Sequence, residues 1–350
     1  MPTIPSVIEG AYLRDILEQP AAMRRTAQAL AAAPFLTADV LSLCSKHEIE
    51  RIVLTGMGSS FHALHPLHIR LTLAGHFSTM VETSEAIHYL PDLFSKNTLT
   101  VAVSQSGESA EIVRLLCDDY LKGPVIGITN TPNSTLAKSS SLTLLTEAGP
   151  ESTVSCKTYL ASLEALHWLG AIFLNEKLTL THKHLDGAAT AVETYLGQLK
   201  AHTASLHNAL EGIEQIFITG RGYSLATAGT GGLIMKESTR SSSEGMSSAA
   251  FRHGPLEMLS KRVLACICQG DPKTASLNQR LLTEASNAQA RAFLIGPCSD
   301  HPAFQIPDTP APLLPILEIL PVQMLSLALA ARLGFEAGNF ALASKITATE

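Results

Sequence analysis

Residues 49–60 read IERIVLTGMGSS and residues 213–224 read IEQIFITGRGYS. Nine of the twelve positions are identical or conservatively replaced, at an offset of 164. The same offset carries Gln105 of TVAVSQSGES onto Gln269 of VLACICQGDP. Two anchors in one register make a duplicated unit the governing constraint, because whatever one half folds into the other must accommodate. The 350-residue length agrees, being too long for one ordinary core.

Within each half, short apolar runs alternate with helical stretches. The runs are 51–56, 79–83, 98–104, 124–129 and 141–146 in the first half, and 215–219, 262–268 and 291–296 in the second. Such alternation predicts βαβ units, hence an α/β fold with a parallel sheet and helices on both faces in each half. The first ~35 residues are helical in pattern with Pro20 interrupting, and a helical stretch over 157–208 joins the halves. Its polar patch Thr181–His184 is a candidate break. The domain expectation is therefore a helical segment 1–37, a first domain 38–190, a second domain 205–335 and a tail 336–350.

Leu313–Ala331 is the most apolar stretch, but it contains Pro315, Glu318 and Pro321. A buried helix starting near Pro321 is expected there in place of a membrane span. The N-terminus MPTIPSVIEGAYLRD has neither the basic nor the apolar region of a signal peptide. A cytoplasmic location without membrane association follows as an expectation. Net charge is −6, and no Lys/Arg run exceeds a pair, which argues against nucleic acid as a partner. The six cysteines show no CxxC pair and no disulfide spacing, so reduced core thiols are expected. His62, His65 and His68 recur at three-residue spacing, but no nearby Asp, Glu or Cys completes a metal shell. Partial burial or an interface is their expected role. Neither metal nor cofactor is expected.

Three segments of the first half stand at strand ends, where open parallel sheets bind ligands. Gly56-Met57-Gly58-Ser59-Ser60 can turn sharply and offer N–H groups and hydroxyls to an anion. Ser104-Gln105-Ser106-Gly107-Glu108-Ser109 gathers more hydroxyl and amide groups around one glycine than a helix cap needs, which points to phosphate. Glu151–Lys157, with Val154 and Ser155, opens the following helix. The second half replaces the serines by Cys268-Gln269-Gly270-Asp271-Pro272, where a carboxylate would repel phosphate. It also holds Glu237 in MKES and His253 in FRHGP. A carboxylate with an imidazole suits sugar-phosphate proton transfer. On spacing alone, the plainer reading of each, a surface ion pair or a satisfied core group, outweighs the catalytic one.

Taken in order, TGMGSS, SQSGES, AGPESTVSCK, LIMKES, FRHGP and the terminal ASKIT resemble the two-domain SIS (sugar isomerase) family. Within it the pattern is similar to the isomerase half of glucosamine-6-phosphate synthase and to free-standing amino-sugar-phosphate deaminases and deglycases. The resemblance implies two flavodoxin-like domains and a phosphate held by Ser59, Ser60, Ser104, Gln105, Ser106 and Ser109. It further implies that Val154 and Ser155 touch the sugar, that Glu237 carries a proton between C1 and C2, and that His253 opens the ring. Lys345 matches a lysine associated with the open-chain sugar, and a homodimer with shared active sites is implied.

The chain departs from the synthase pattern at Ala249-Ala250-Phe251, in a third segment one residue shorter, and in the lead-in to the tail. No glutaminase domain is expected, since no N-terminal cysteine nucleophile is present. The implied activity is phosphosugar isomerisation with ammonia release from an amino-sugar 6-phosphate. Cleavage of a phosphorylated sugar–amino acid adduct, or non-catalytic phosphosugar sensing, are the alternatives.

Overall fold

A computed structural model of the protein describes residues 8–342 together with Lys345 and Thr347. Nine strands among them form two all-parallel sheets. The first contains β1 (Arg51–Gly56), β2 (Ser78–Glu82), β3 (Thr98–Val103), β4 (Val125–Thr129) and β5 (Leu142–Leu145), in the order β2-β1-β3-β4-β5. The second contains β6 (Gln215–Gly220), β7 (Ser243–Ser247), β8 (Val263–Cys268) and β9 (Arg291–Ile295), in the order β7-β6-β8-β9. Helices connect the strands, so both sheets are of the expected doubly wound, flavodoxin-like type. The cause is visible in the central strands: TLTVAV of β3 and VLACIC of β8 are buried at every position, as strands covered on both faces must be.

Each sheet anchors a compact unit. Of the described residues, the first-sheet unit comprises Ala21–Glu151, Lys157–Ala189, Lys345 and Thr347, and the second-sheet unit comprises residues 8–20, Ser152–Cys156 and Thr190–Leu342. Apolar clusters fill both, around Val53, Ile87, Phe94 and Leu115 in the first and around Phe217, Phe251, Ile267 and Leu281 in the second.

Strand β7, with sequence SEGMS, has no apolar pattern and was not expected. Its place is set by backbone approach. A Cβ on Gly245 would lie 1.8 Å from the carbonyl oxygen of Ala228, so only glycine lets this edge strand pack against the helix Leu225–Thr239. The helical connection breaks at 174–177, where Asn175 turns with φ 52°, and not at Thr181–His184, which lies inside the helix Leu178–Leu196. The expected interruption near Pro20 falls at Glu18: the helix Ala11–Leu17 ends there, and Pro20 sits in the first turn of the next, Gln19–Ala31, where its missing N–H costs nothing. The long apolar helix runs Leu314–Leu333, starting seven residues before Pro321 because Pro315 begins it and Pro321 is tolerated inside. It is long and apolar enough to cross a membrane, yet its apolar window is entirely buried within the fold.

The strand ladders revise the repeat. Thr55 and Thr219 are 164 apart, but their partners Ala102 and Ile267 are 165 apart, and so are Ser78 and Ser243, the partners of Ile52 and Ile216. One extra residue therefore enters between β6 and β7. As a result Gln269 occupies the place of Ser104, not that of Gln105. The N–H of Ser104 donates to Ile128 O at 3.1 Å, and the N–H of Gln269 makes the matching bond to Ile295 O at 2.8 Å.

All six cysteines are free. Cys156, Cys266 and Cys268 are buried, whereas Cys117 and Cys298 are exposed, so the expectation of core thiols holds for only part of the set. Burial pushes the Cys266 thiol up to about 12 and Cys268 well above its ordinary value.

Glu164, on the helix Lys157–Phe173, is fully buried with both carboxyl oxygens unbonded. Desolvation raises its pKa well above the ordinary value. Above the unfolded-state pKa the unfolded chain sheds this proton while the fold retains it, so stability falls as pH rises. Glu164→Leu should therefore stabilise the fold by about 1–3 kcal/mol near neutrality and flatten the decline of the thermal midpoint above about pH 5. An unchanged slope in circular-dichroism melts would show that the carboxyl is not the source.

Candidate functional site

The carboxyl ends of β1 and β3 lie at the point where strand order reverses in the first sheet, the usual crevice of a doubly wound fold. From β1 the chain turns through Met57 and Gly58 into the short helix Gly58–His62, which carries Ser59 and Ser60. From β3 it passes through Ser104–Ser109 into the helix Ala110–Cys117.

Within this second loop the serines have half of their bonding used. Ser104 Oγ accepts from the N–H of Gly107 at 3.1 Å, and Ser106 Oγ accepts from the N–H of Glu108 at 3.1 Å. Each oxygen acts as an acceptor to shape the turn, which leaves each O–H proton free to donate to an anion. The hydroxyls of Ser59, Ser60 and Ser109 and the side-chain amide of Gln105 have no hydrogen-bond partner among the described residues. The one carboxylate in the loop is turned aside. Glu108 accepts from the N–H of Thr135 at 2.6 Å and from Thr135 Oγ1 at 2.9 Å, capping the next helix. The loop thus collects donors while its carboxylate is engaged by Thr135.

The described part of the tail meets the same unit. Thr347 O accepts from the N–H of Ala110 at 3.0 Å, one of the unsatisfied donors at the start of the helix that follows the serine loop. Lys345 Nζ donates to Glu151 Oε2 at 2.6 Å, and the Glu151 side chain is fully buried. Glu151 also accepts from the N–H of Thr158 at 3.1 Å and from Thr158 Oγ1 at 2.5 Å. The sequence marked Glu151 only as the beginning of a segment. Its acidic side chain seven residues before Thr158, with a lone lysine in a polar tail, was the available signal, and only the fold joins them.

Val154 and Ser155 cluster with the second-sheet unit, where Val154 is buried. Glu237 is exposed on the helix Leu225–Thr239, and His253 is exposed in the turn after the helix Ser248–Phe251, followed by Gly254 at φ 144°. The histidine run is partly buried. His62 and His65 stack with ring centroids 6.4 Å apart, and burial, with His62 and His68 nearby, lowers His65 to about 4, keeping it neutral.

The second sheet lacks the cradle for a countable reason. Six residues, 104–109, separate β3 from its helix, whereas three, 269–271, separate β8 from the helix Pro272–Asn287. Asp271 fills the short turn and accepts from the N–H of Lys273 at 2.7 Å.

The SIS domain family matches residues 47–171 and 209–332, one stretch on each sheet. The chain belongs to the SIS domain family. Among curated relatives, the isomerizing glutamine–fructose-6-phosphate aminotransferase of Pyrococcus horikoshii is 30% identical over 347 residues, covering 94% of this chain and 56% of that protein. The chain thus spans little more than half the length of the curated relatives it matches. Among solved structures, tagatose-6-phosphate ketose/aldose isomerase from Escherichia coli superposes with a TM-score of 0.82 at 18% identity, covering 97% of this chain and 98% of that one. Glucosamine-6-phosphate deaminase from Thermotoga maritima gives 0.77 at 19% identity, with 96% and 99% covered. At these identities the likeness is one of fold.

Gly107 tests the loop of this SIS chain. It adopts φ 65°, and a Cβ there would lie 2.2 Å from Ser134 Oγ. Gly107→Ala should lower stability by at least about 1 kcal/mol. A thermal melt reads the effect, and an unchanged midpoint would mean the loop tolerates another backbone course.

Proposed function

We propose that the chain binds a hexose phosphate at the loops after β1 and β3 and isomerises an amino-sugar 6-phosphate with release of ammonia. The observation that carries the reading is the Ser104–Ser109 loop, whose serine oxygens are satisfied as acceptors while their protons remain to be donated. With no basic residue in that loop, the phosphate is held by hydroxyls, the Gln105 amide and backbone N–H groups. Val154 and Ser155 are assigned to the sugar.

In this reading His253 assists ring opening. Glu237 then takes the proton from C2 and returns it to C1, converting the C2 amine into an imine that water hydrolyses to ketone and ammonia. Lys345, held by Glu151, is assigned to the open-chain sugar. The reading draws support from the family and from the deaminase and ketose/aldose isomerase among the structural neighbours. We further propose a homodimer in which His253 serves the neighbouring site. Its exposed ring has no hydrogen-bond partner among the described residues, which suits a group completed by a second copy.

Ser104→Ala with Ser106→Ala should raise KM for the phosphosugar at least about tenfold, each lost contact to a charged ligand costing about 1–3 kcal/mol. A wild-type KM would sink the phosphate assignment.

Glu237→Gln should keep substrate binding and lower kcat by about 10²–10⁴-fold, since an amide cannot accept the proton. His253→Ala should suffer most with substrates locked in the cyclic form. Ammonia release and ketose formation, followed separately over a substrate panel, distinguish deamination from simple isomerisation. Equal, modest losses in both variants would return the sensing alternative. A fully active monomer by light scattering would end the shared-site assignment.

A further inference from the structure

In the first sheet β4 lies between β3 and β5, so the loop after β4 stands between the serine loop and the segment that leads to Glu151. Asn130, the first residue beyond β4, is bonded to both. Its backbone N–H donates to Gln105 O in the serine loop at 3.0 Å, and Thr129 Oγ1 donates to the same oxygen at 3.2 Å. Its side chain holds the loop after β5. Oδ1 accepts from Thr146 Oγ1 at 3.0 Å and from the N–H of Ala148 at 2.8 Å, while Nδ2 donates to Gly149 O at 2.8 Å. A backbone N–H can only donate and a carbonyl can only accept, so this loop requires an amide and fixes which way round it sits.

The loop so held follows a costly course. Glu147 adopts φ 49° and Gly149 φ 79°, and a residue with a side chain stays in that left-handed region only where its surroundings hold it. Arg25 supplies the second hold, donating Nε to Glu147 O at 3.1 Å and Nη2 to Ala148 O at 2.8 Å. Ala148 is fully buried in a cluster with Ala22 and Ala161. Only Pro150 separates Gly149 from Glu151, and its ring fixes φ. The course set at Gly149 therefore carries through to Glu151, whose buried carboxyl receives Lys345 Nζ at 2.6 Å.

We propose that Asn130 is a positioning residue that fixes the spacing between the phosphate loop and the Glu151–Lys345 pair, so that a sugar held by its phosphate meets the lysine. The inference rests on the phosphosugar reading above. The two attachments of Asn130 divide the work. Its backbone bond to Gln105 serves the phosphate loop and does not depend on the side chain, whereas the amide serves the lysine through Gly149 and Glu151.

This division is what the experiment reads. Asn130→Asp keeps an acceptor for Thr146 and Ala148 but sets a carboxylate oxygen against Gly149 O. With glucosamine 6-phosphate it should lower kcat about 10–10²-fold and leave KM near wild type. Acylation of Lys345 by acetic anhydride, followed by peptide mass spectrometry against the exposed Lys183, should become severalfold faster in the same variant. Arg25→Ala, at an exposed residue on the other side of the loop, should move both readouts the same way, and the double variant should fall short of the two effects combined. Arg25→Ala also carries the test if Asn130→Asp does not fold. A KM that rises as far as kcat falls, or Lys345 acylation unchanged in both variants, overturns the proposal. If the wild-type chain turns over no amino-sugar phosphate, the phosphosugar reading fails, and acylation, which needs no turnover, alone decides whether Asn130 places the lysine.

Discussion

Parallel strands all end on one edge of their sheet, so every loop that follows a strand is delivered to the same place. In this chain the constraint operates twice. Strand order reverses between β1 and β3 in one sheet and between β6 and β8 in the other, and side chains placed just beyond those strands have nowhere else to go. The chemistry of each half is then decided by a few residues of loop length and by which atoms of the loop are already engaged. In the first sheet a six-residue loop has room to spend serine oxygens on its own turn and still present protons outward. In the second, a three-residue turn is closed by Asp271, whose carboxylate is spent on the N–H of Lys273 at the start of the following helix.

The two halves diverged by geometry as much as by substitution. A single added residue between β6 and β7 moved Gln269 into the slot that Ser104 holds in the first sheet. There its amide ties the β8 and β9 loops together, a task the shorter serine could not perform across that gap. Conservation of a glutamine in the linear repeat therefore disguised a change of role.

Much of the fold was legible because parallel central strands must be apolar throughout. The runs that became β1, β3, β4, β6 and β8 announce themselves by that requirement, and the repeat supplied the duplication. Strand β7 was illegible because Gly245 holds it by absence of a side chain, which no hydrophobic pattern records. The helix start at Leu314 was hidden by reading Pro321 as a beginning when Pro315 already served. Serine enrichment pointed to the loop after β3, whereas the role of Glu108 as a cap for Thr135, and the pairing of Glu151 with Lys345, depend on contacts between segments far apart in sequence. Glu318 drew notice only as a charge that disfavours a membrane span. Its bonds to Ser224 and Thr227 required the second sheet to be assembled.

The distribution of the cysteines has a use of its own. Cys117 and Cys298 are open to reagent in the native protein, while Cys266 and Cys268 lie inside β8 with their thiols held protonated. A thiolate is the reacting species, so these two are doubly protected, by enclosure and by proton affinity. Their modification must wait for the second sheet to open. With Cys44, Cys117, Cys156 and Cys298 replaced by alanine, labelling of the remaining pair becomes a clock for the opening of β8, needing no inserted probe.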